Sequence, residues 1–193
     1  MSETGLNSPL LKVLHDLANW FDEQSVRGAI IGGVAASLRG RPRMTQDVDV
    51  VVWLGDQKVD SLLASGVSFG FEPRISDVLR FAEKNRVLLL VHSATLTPVD
   101  ISLGGLPFEE EAITRASIVR VGGVSIPVAA SEDLIIMKAV ARRPRDMADI
   151  ESMIDANPDL DTARIRQWAG EFATVLEMPE ILADLELMLS RGK

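Results

Sequence analysis

Two aspartates one residue apart, Asp47 and Asp49, sit at the head of a β-branched run, Val48-Asp49-Val50-Val51-Val52. Successive side chains on a strand point to opposite faces, so the two acids share one face and Val48 and Val50 take the other. Carboxylates about 7 Å apart along a strand repel each other unless a proton or cation intervenes. Divalent cations held by oxygen ligands are the usual resolution. A third acid, Asp100, lies in a similar apolar context, Val99-Asp100-Ile101. Its burial is costly unless it is paired or metal-bound. The competing reading is an ion pair with an arginine such as Arg74 or Arg80. Should the two strands be neighbours, three carboxylates meet in one cleft. Such a cleft suits two Mg²⁺ ions serving an in-line displacement at phosphorus, with one acid free to take a proton from the attacking hydroxyl.

Separated from Asp47 by thirteen residues, the short apolar run Ala29-Ile30-Ile31 ends in Gly32-Gly33. It reads as a strand turning sharply into a helix. Backbone without side chains lets N–H groups reach phosphate oxygens, and the helix start adds its positive end. Arg43 and Thr45, at the edge of the expected cleft, are candidates for touching phosphate or acceptor. Lys138 is the one cation in an otherwise apolar helix face from Leu134 to Ala141. It either snorkels to water or points into a cleft as a triphosphate ligand. Ser131, Glu132 and Asp133 read as a helix cap and first-turn acids, and His15 as an ordinary helix residue.

The elements that must position these groups follow from periodicity. An amphipathic helix runs from about Leu10 to Gln24 and a strand from Arg27 to Ile31. A short helix covers Val34 to Leu38, and the acid strand runs from Asp47 to Leu54. Gln57 to Phe69 and Ser76 to Lys84 read as helices, and Arg86 to His92 and Pro98 to Leu103 as strands. Phe108 to Arg115 is a short helix. Ile118 to Val121 and Val124 to Val128 form a hairpin across Gly122-Gly123. Beyond Ala130 only helices follow: Glu132 to Arg142, Arg145 to Ile154, Thr162 to Leu176 and Pro179 to Leu189. The fold class is α/β (α+β), a small mixed sheet with flanking helices followed by a C-terminal helical region. Residues 1–128 form the α/β core and 129–193 the helical region, as two domains or one continuous domain.

Composition bounds the function. The 193 residues are 47% hydrophobic and 25% charged, enough for one large domain or two small ones. No apolar run approaches the roughly 20 residues of a membrane span. Glu3 and the lack of a basic start argue against a secretory leader. Without cysteine there is neither a disulfide framework nor a thiolate metal site. A cytoplasmic protein is expected. The net charge of −8 disfavours broad nucleic-acid binding, which needs lysine and arginine. Two basic clusters, Arg39/Arg41/Arg43 and Arg142/Arg143/Arg145, still allow an RNA acceptor if they line one groove.

The glycine pair, the spacing and Asp47-Val48-Asp49-Val50 together resemble the signature of the DNA polymerase beta-like nucleotidyltransferase superfamily. The stretch from Gly32 to Asp49, with Ser131 to Lys138, Arg142, Arg145-Asp146 and Asp149, resembles the AbiEii-type toxin group within it. Gly33 stands where many relatives carry serine, and Arg39 where histidine is expected. The resemblance implies a nucleotidyltransferase sheet, Mg²⁺ held by Asp47, Asp49 and Asp100, and an NTP bound at Gly32, Gly33 and Lys138. It also allows Asp146 or Asp149 to orient Lys138 or Arg142. The implied reaction moves a nucleoside monophosphate to a hydroxyl of tRNA, protein or a small molecule, with an antitoxin as a conceivable partner. Two other readings stand beside it. A phosphoesterase would use the same carboxylates on water, and a nucleotide-binding or antitoxin-like module would keep the fold without turnover.

Overall fold

A computed structural model describes residues 8–191. Glu3, on which the expectation of no leader rested, lies outside them. Among the described residues no helix is long and apolar enough to cross a membrane. The chain forms two compact units. One comprises the residues up to Ile31 together with Thr45–Val128, and the other comprises Gly32–Met44 together with the residues from Ala129 onward.

The first unit is built on a seven-stranded mixed sheet. Its strands are β1 (Arg27–Ile31), β2 (Val48–Trp53), β3 (Phe71–Pro73), β4 (Val87–His92), β5 (Thr97–Leu103), β6 (Ser117–Val121) and β7 (Val124–Val128), in the order β3-β4-β5-β2-β1-β7-β6. β2 runs parallel to β5 and antiparallel to β1. Burial alternates as the pleat demands: Val48, Val50, Val99 and Ile101 are fully buried, while Asp49 and Asp100 are half-buried. The helix α1 (Pro9–Glu23) covers the valine side, where its Leu17 and Phe21 line a cleft with Ile30 and Val50. On that side Trp20 stacks on Phe71 with centroids 5.0 Å apart, and His92, 1% exposed, donates or accepts between Asp16 and Thr95. Burial alone would raise the Asp16 carboxyl; hydrogen bonds from Lys12, His15 and His92 hold it below its usual range. The helix α5 (Pro107–Arg115) sits at the Trp53 end of the opposite side, where Arg27, register partner of Trp53, donates to Thr114.

Between β2 and β4 the structure departs from the sequence reading in two places. The helix expected over Gln57 to Phe69 is α3 (Val59–Gly66) followed by a 3-10 turn at Val67–Phe69, and Gly70 ends it at φ +84. The short strand β3 then precedes α4 (Val78–Asn85).

The second unit is helical: α2 (Gly32–Arg39), α6 (Ser131–Ala141), α7 (Pro144–Ala156), α8 (Thr162–Val175) and α9 (Glu180–Arg191). Residues 32–44, which the sequence reading assigned to the α/β core, group with these C-terminal helices, and α2 packs on α6 and α7. Gly32 opens α2 at φ +64, a conformation that costs little only without a Cβ.

Candidate active site

Asp49 and Asp100 are register partners on the parallel pair β2/β5. Side chains directly opposite on neighbouring strands leave the sheet on the same side. The row continues across the sheet, with Ile31 paired to Asp49 and Leu89 to Asp100. Asp47 directly precedes β2 and accepts from the Thr45 hydroxyl, Oγ1 to Oδ1 at 2.8 Å. Thr45 thereby orients an acid of the row.

Asp100 lies near both a cation and a second acid. Burial pushes its carboxyl above the ordinary value, Arg74 pulls it down and the charge of Asp47 pushes it up again. Arg74 Nη2 donates to Asp100 Oδ1 at 2.7 Å, both side chains about one-third exposed. The arginine pairing weighed for Asp100 is therefore present, at one oxygen. It coexists with the neighbouring acids rather than replacing them. Among the described residues no three histidine, aspartate or glutamate side chains close into a metal-binding group. The carboxylates of Asp47, Asp49 and Asp100 nevertheless are hard oxygen donors, the ligand type a small divalent cation takes.

The other residues singled out from the sequence belong to the helical unit. Gly32 and Gly33 form the first turn of α2. Lys138, 7% exposed, contacts Asp146 Oδ1 at 3.0 Å and Asp149 Oδ2 at 2.7 Å. Arg43 donates to both oxygens of Asp149, through Nε at 2.7 Å and Nη2 at 2.8 Å. Burial would raise the Asp149 carboxyl, but Arg43 and Lys138 hold it below its usual range. Arg142 pairs with Asp184 rather than with Asp146 or Asp149. The remaining arginines of the first basic cluster are also engaged: Arg39 donates to the Ala129 carbonyl and Arg41 to Asp155. Asp133 lies in the first turn of α6, as read. It is fully buried and paired with Arg164 at 2.8 Å, because the sequence places it one position inside the apolar face of α6.

The chain matches known proteins at the level of family and fold. Residues 8–178 match a family described as a nucleotidyltransferase of unknown function (DUF6036). No curated protein matches. Among solved structures, the chain resembles an antigenic nucleotidyltransferase-like protein from Paracoccidioides brasiliensis, at 19% identity over 91% of each chain with a TM-score of 0.55. It also resembles the antibiotic-resistance factor ANT(2")-Ia in complex with adenylyl-2"-tobramycin, at 18% identity over 88% of this chain and 99% of that one, TM-score 0.60. A third likeness is the lincosamide antibiotic adenylyltransferase LnuA, lincomycin-bound, at 13% identity over 74% of this chain and 94% of that one, TM-score 0.53. At these identities the structural likenesses establish the fold.

Proposed function

The chain belongs to the DUF6036 family of nucleotidyltransferases, and from that premise we propose that it moves a nucleoside monophosphate from an NTP to a hydroxyl, with Mg²⁺ held by Asp47, Asp49 and Asp100. One observation carries the reading: Asp49 and Asp100, fifty-one residues apart in the chain, are direct neighbours on β2 and β5 with Asp47 at the strand head. When bound, the cation neutralises the triphosphate and lowers the charge barrier to attack at phosphorus. Asp100 is the base for the acceptor hydroxyl. Arg74 engages Oδ1 and leaves Oδ2 for the transfer. Thr45 fixes the rotamer of Asp47. Gly32 and Gly33 offer backbone N–H groups at the start of α2 to the phosphates.

The acceptor we infer is a small hydroxyl compound. Arg39, Arg43 and Arg142 are held by a carbonyl or by carboxylates, which leaves only the exposed Arg41, Arg143 and Arg145 of the two basic clusters to meet RNA. Two proteins of the same fold are described as bound to antibiotic compounds, one to adenylyl-2"-tobramycin and the other to lincomycin. The resemblance to AbiEii-type toxins extends the reading to a cytoplasmic toxin neutralised by an antitoxin; growth arrest on expression, relieved by Asp49→Ala, is the expected sign.

The reaction is tested by titrating the four ribonucleoside triphosphates with Mg²⁺ into wild type and Asp49→Ala. Binding in the wild type alone is expected, and equal binding by both proteins sinks the proposal. Labelled NTP incubated with cell extract should label the small-molecule fraction and release pyrophosphate only when acceptor is present. Label in RNA overturns the acceptor class, and acceptor-independent hydrolysis favours a phosphoesterase.

A further inference from the structure

Lys138, Arg43, Asp146 and Asp149 form a network that the proposed reaction does not use. Three of the four are nearly sealed from solvent: Lys138 is 7% exposed, Asp146 6% and Asp149 7%. All four carboxylate oxygens accept hydrogen bonds. Asp149 takes Arg43 at both oxygens and Lys138 at Oδ2. Asp146 takes Lys138 at Oδ1 and the Arg143 backbone N–H at Oδ2, 3.0 Å, so the same residue caps α7. Two cations face two anions, and the charge closes without a ligand.

We propose that Lys138 and Arg43 are positioning residues rather than phosphate ligands: with Asp146 and Asp149 they clamp the segment 32–44, which begins with Gly32-Gly33, onto α6 and α7. The proposal rests on the reading that the glycine pair holds the NTP phosphates. Three considerations support it. Moving Lys138 out to a triphosphate would leave two buried carboxylates facing one cation, the costly half-broken state of a buried pair. A triphosphate beside this charge-balanced network would have to compete with Asp146 and Asp149 for both cations. Other bonds tie the same segment to the same helices. Arg41 N–H donates to Ser152 Oγ at 2.6 Å, and Asn157 Nδ2 donates to the Arg39 carbonyl at 2.8 Å. Inside the segment, Ser37 Oγ lies 3.0 Å from the Gly33 carbonyl and 3.1 Å from the Arg43 carbonyl, linking the glycine turn to the arginine.

The test is a double-variant cycle on the full chain with Lys138→Met, Asp146→Asn and both together. Lys138→Met removes the bridge, so its Tm falls and amide exchange in residues 32–44 speeds up. Asp146→Asn keeps an acceptor for the Arg143 N–H and restores charge balance with Arg43 and Asp149. The double variant therefore regains most of the Tm and exchange protection, and binds each ribonucleoside triphosphate, with Mg²⁺, within about threefold of wild type. Were Lys138 a phosphate ligand, the double variant would regain stability yet lose about tenfold or more in NTP affinity. That result overturns the proposal, as does exchange in 32–44 that ignores Lys138→Met or is not restored by Asp146→Asn. A wild type that binds no NTP sinks the proposed reaction, while the exchange measurement still decides the clamp.

Discussion

Gly66→Ala sets two known effects of opposite sign against each other. Gly66 closes α3 with helical angles, φ −61 and ψ −28, so alanine fits the backbone there. By helix propensity the change stabilises by about 1 kcal/mol. Sterically, the new Cβ lands 2.6 and 2.8 Å from two ring carbons of Trp20. That ring cannot easily retreat. It is fully buried, stacked on Phe71, and its Nε1 donates to Ser65 Oγ at 2.8 Å. Overpacking a filled core costs about 1–3 kcal/mol. The expected net is a destabilisation of up to about 2 kcal/mol, or roughly 2–4 °C in Tm for each kcal/mol in a chain of this size. Urea unfolding followed by tryptophan fluorescence measures it. A Gly66→Ala protein more stable than wild type would show that Trp20 yields and that the stack on Phe71 is not rigid.

Asp100→Asn should stabilise the cation-free protein at neutral pH. The native carboxyl is raised above the ordinary 3.8 by burial, so its contribution is full below that value and lost as pH rises through the native one. The stability difference between variant and wild type should therefore grow with pH across that window in paired unfolding curves; a flat difference contradicts it. Arg164→Met leaves the sealed Asp133 carboxylate without its guanidinium and should cost about 3–5 kcal/mol in urea unfolding. Thr45→Val removes the hydroxyl that orients Asp47 and should weaken Mn²⁺ binding, followed by electron spin resonance, by about tenfold; unchanged binding would mean that Asp47 is not a ligand.

The acid-bearing strands were legible because each acid interrupts a β-branched, apolar run. Val48/Val50 and Val99/Ile101 flank the acids they present, so the side shared by Asp49 and Asp100 was readable once the two strands were taken as neighbours. β3 was not legible, since only Phe71 of its three residues is buried and Pro73 breaks any pattern. Pairing partners were also hidden. Which opposite charge meets Lys138 or Asp133 depends on residues far off or on another helix. Arg43 reaches Asp149 across 106 positions and Arg142 reaches Asp184 across 42. For Asp100 the sequence offered both a site and an arginine partner, and the structure holds Arg74 beside the acid row. The 3-10 geometry of Val67–Phe69 was not legible, because Val67 and Phe69 continue the apolar composition of the helix.

The helical unit is discontinuous, since residues 32–44 precede most of the sheet and the rest follow it. The backbone therefore passes from one unit to the other three times, at 31/32, 44/45 and 128/129. A fragment cut after Val128 would carry α2 away from α6 and α7, the helices it packs on. No single cut yields two self-sufficient halves, so graft or split designs must move residues 32–44 together with the tail or leave both in place.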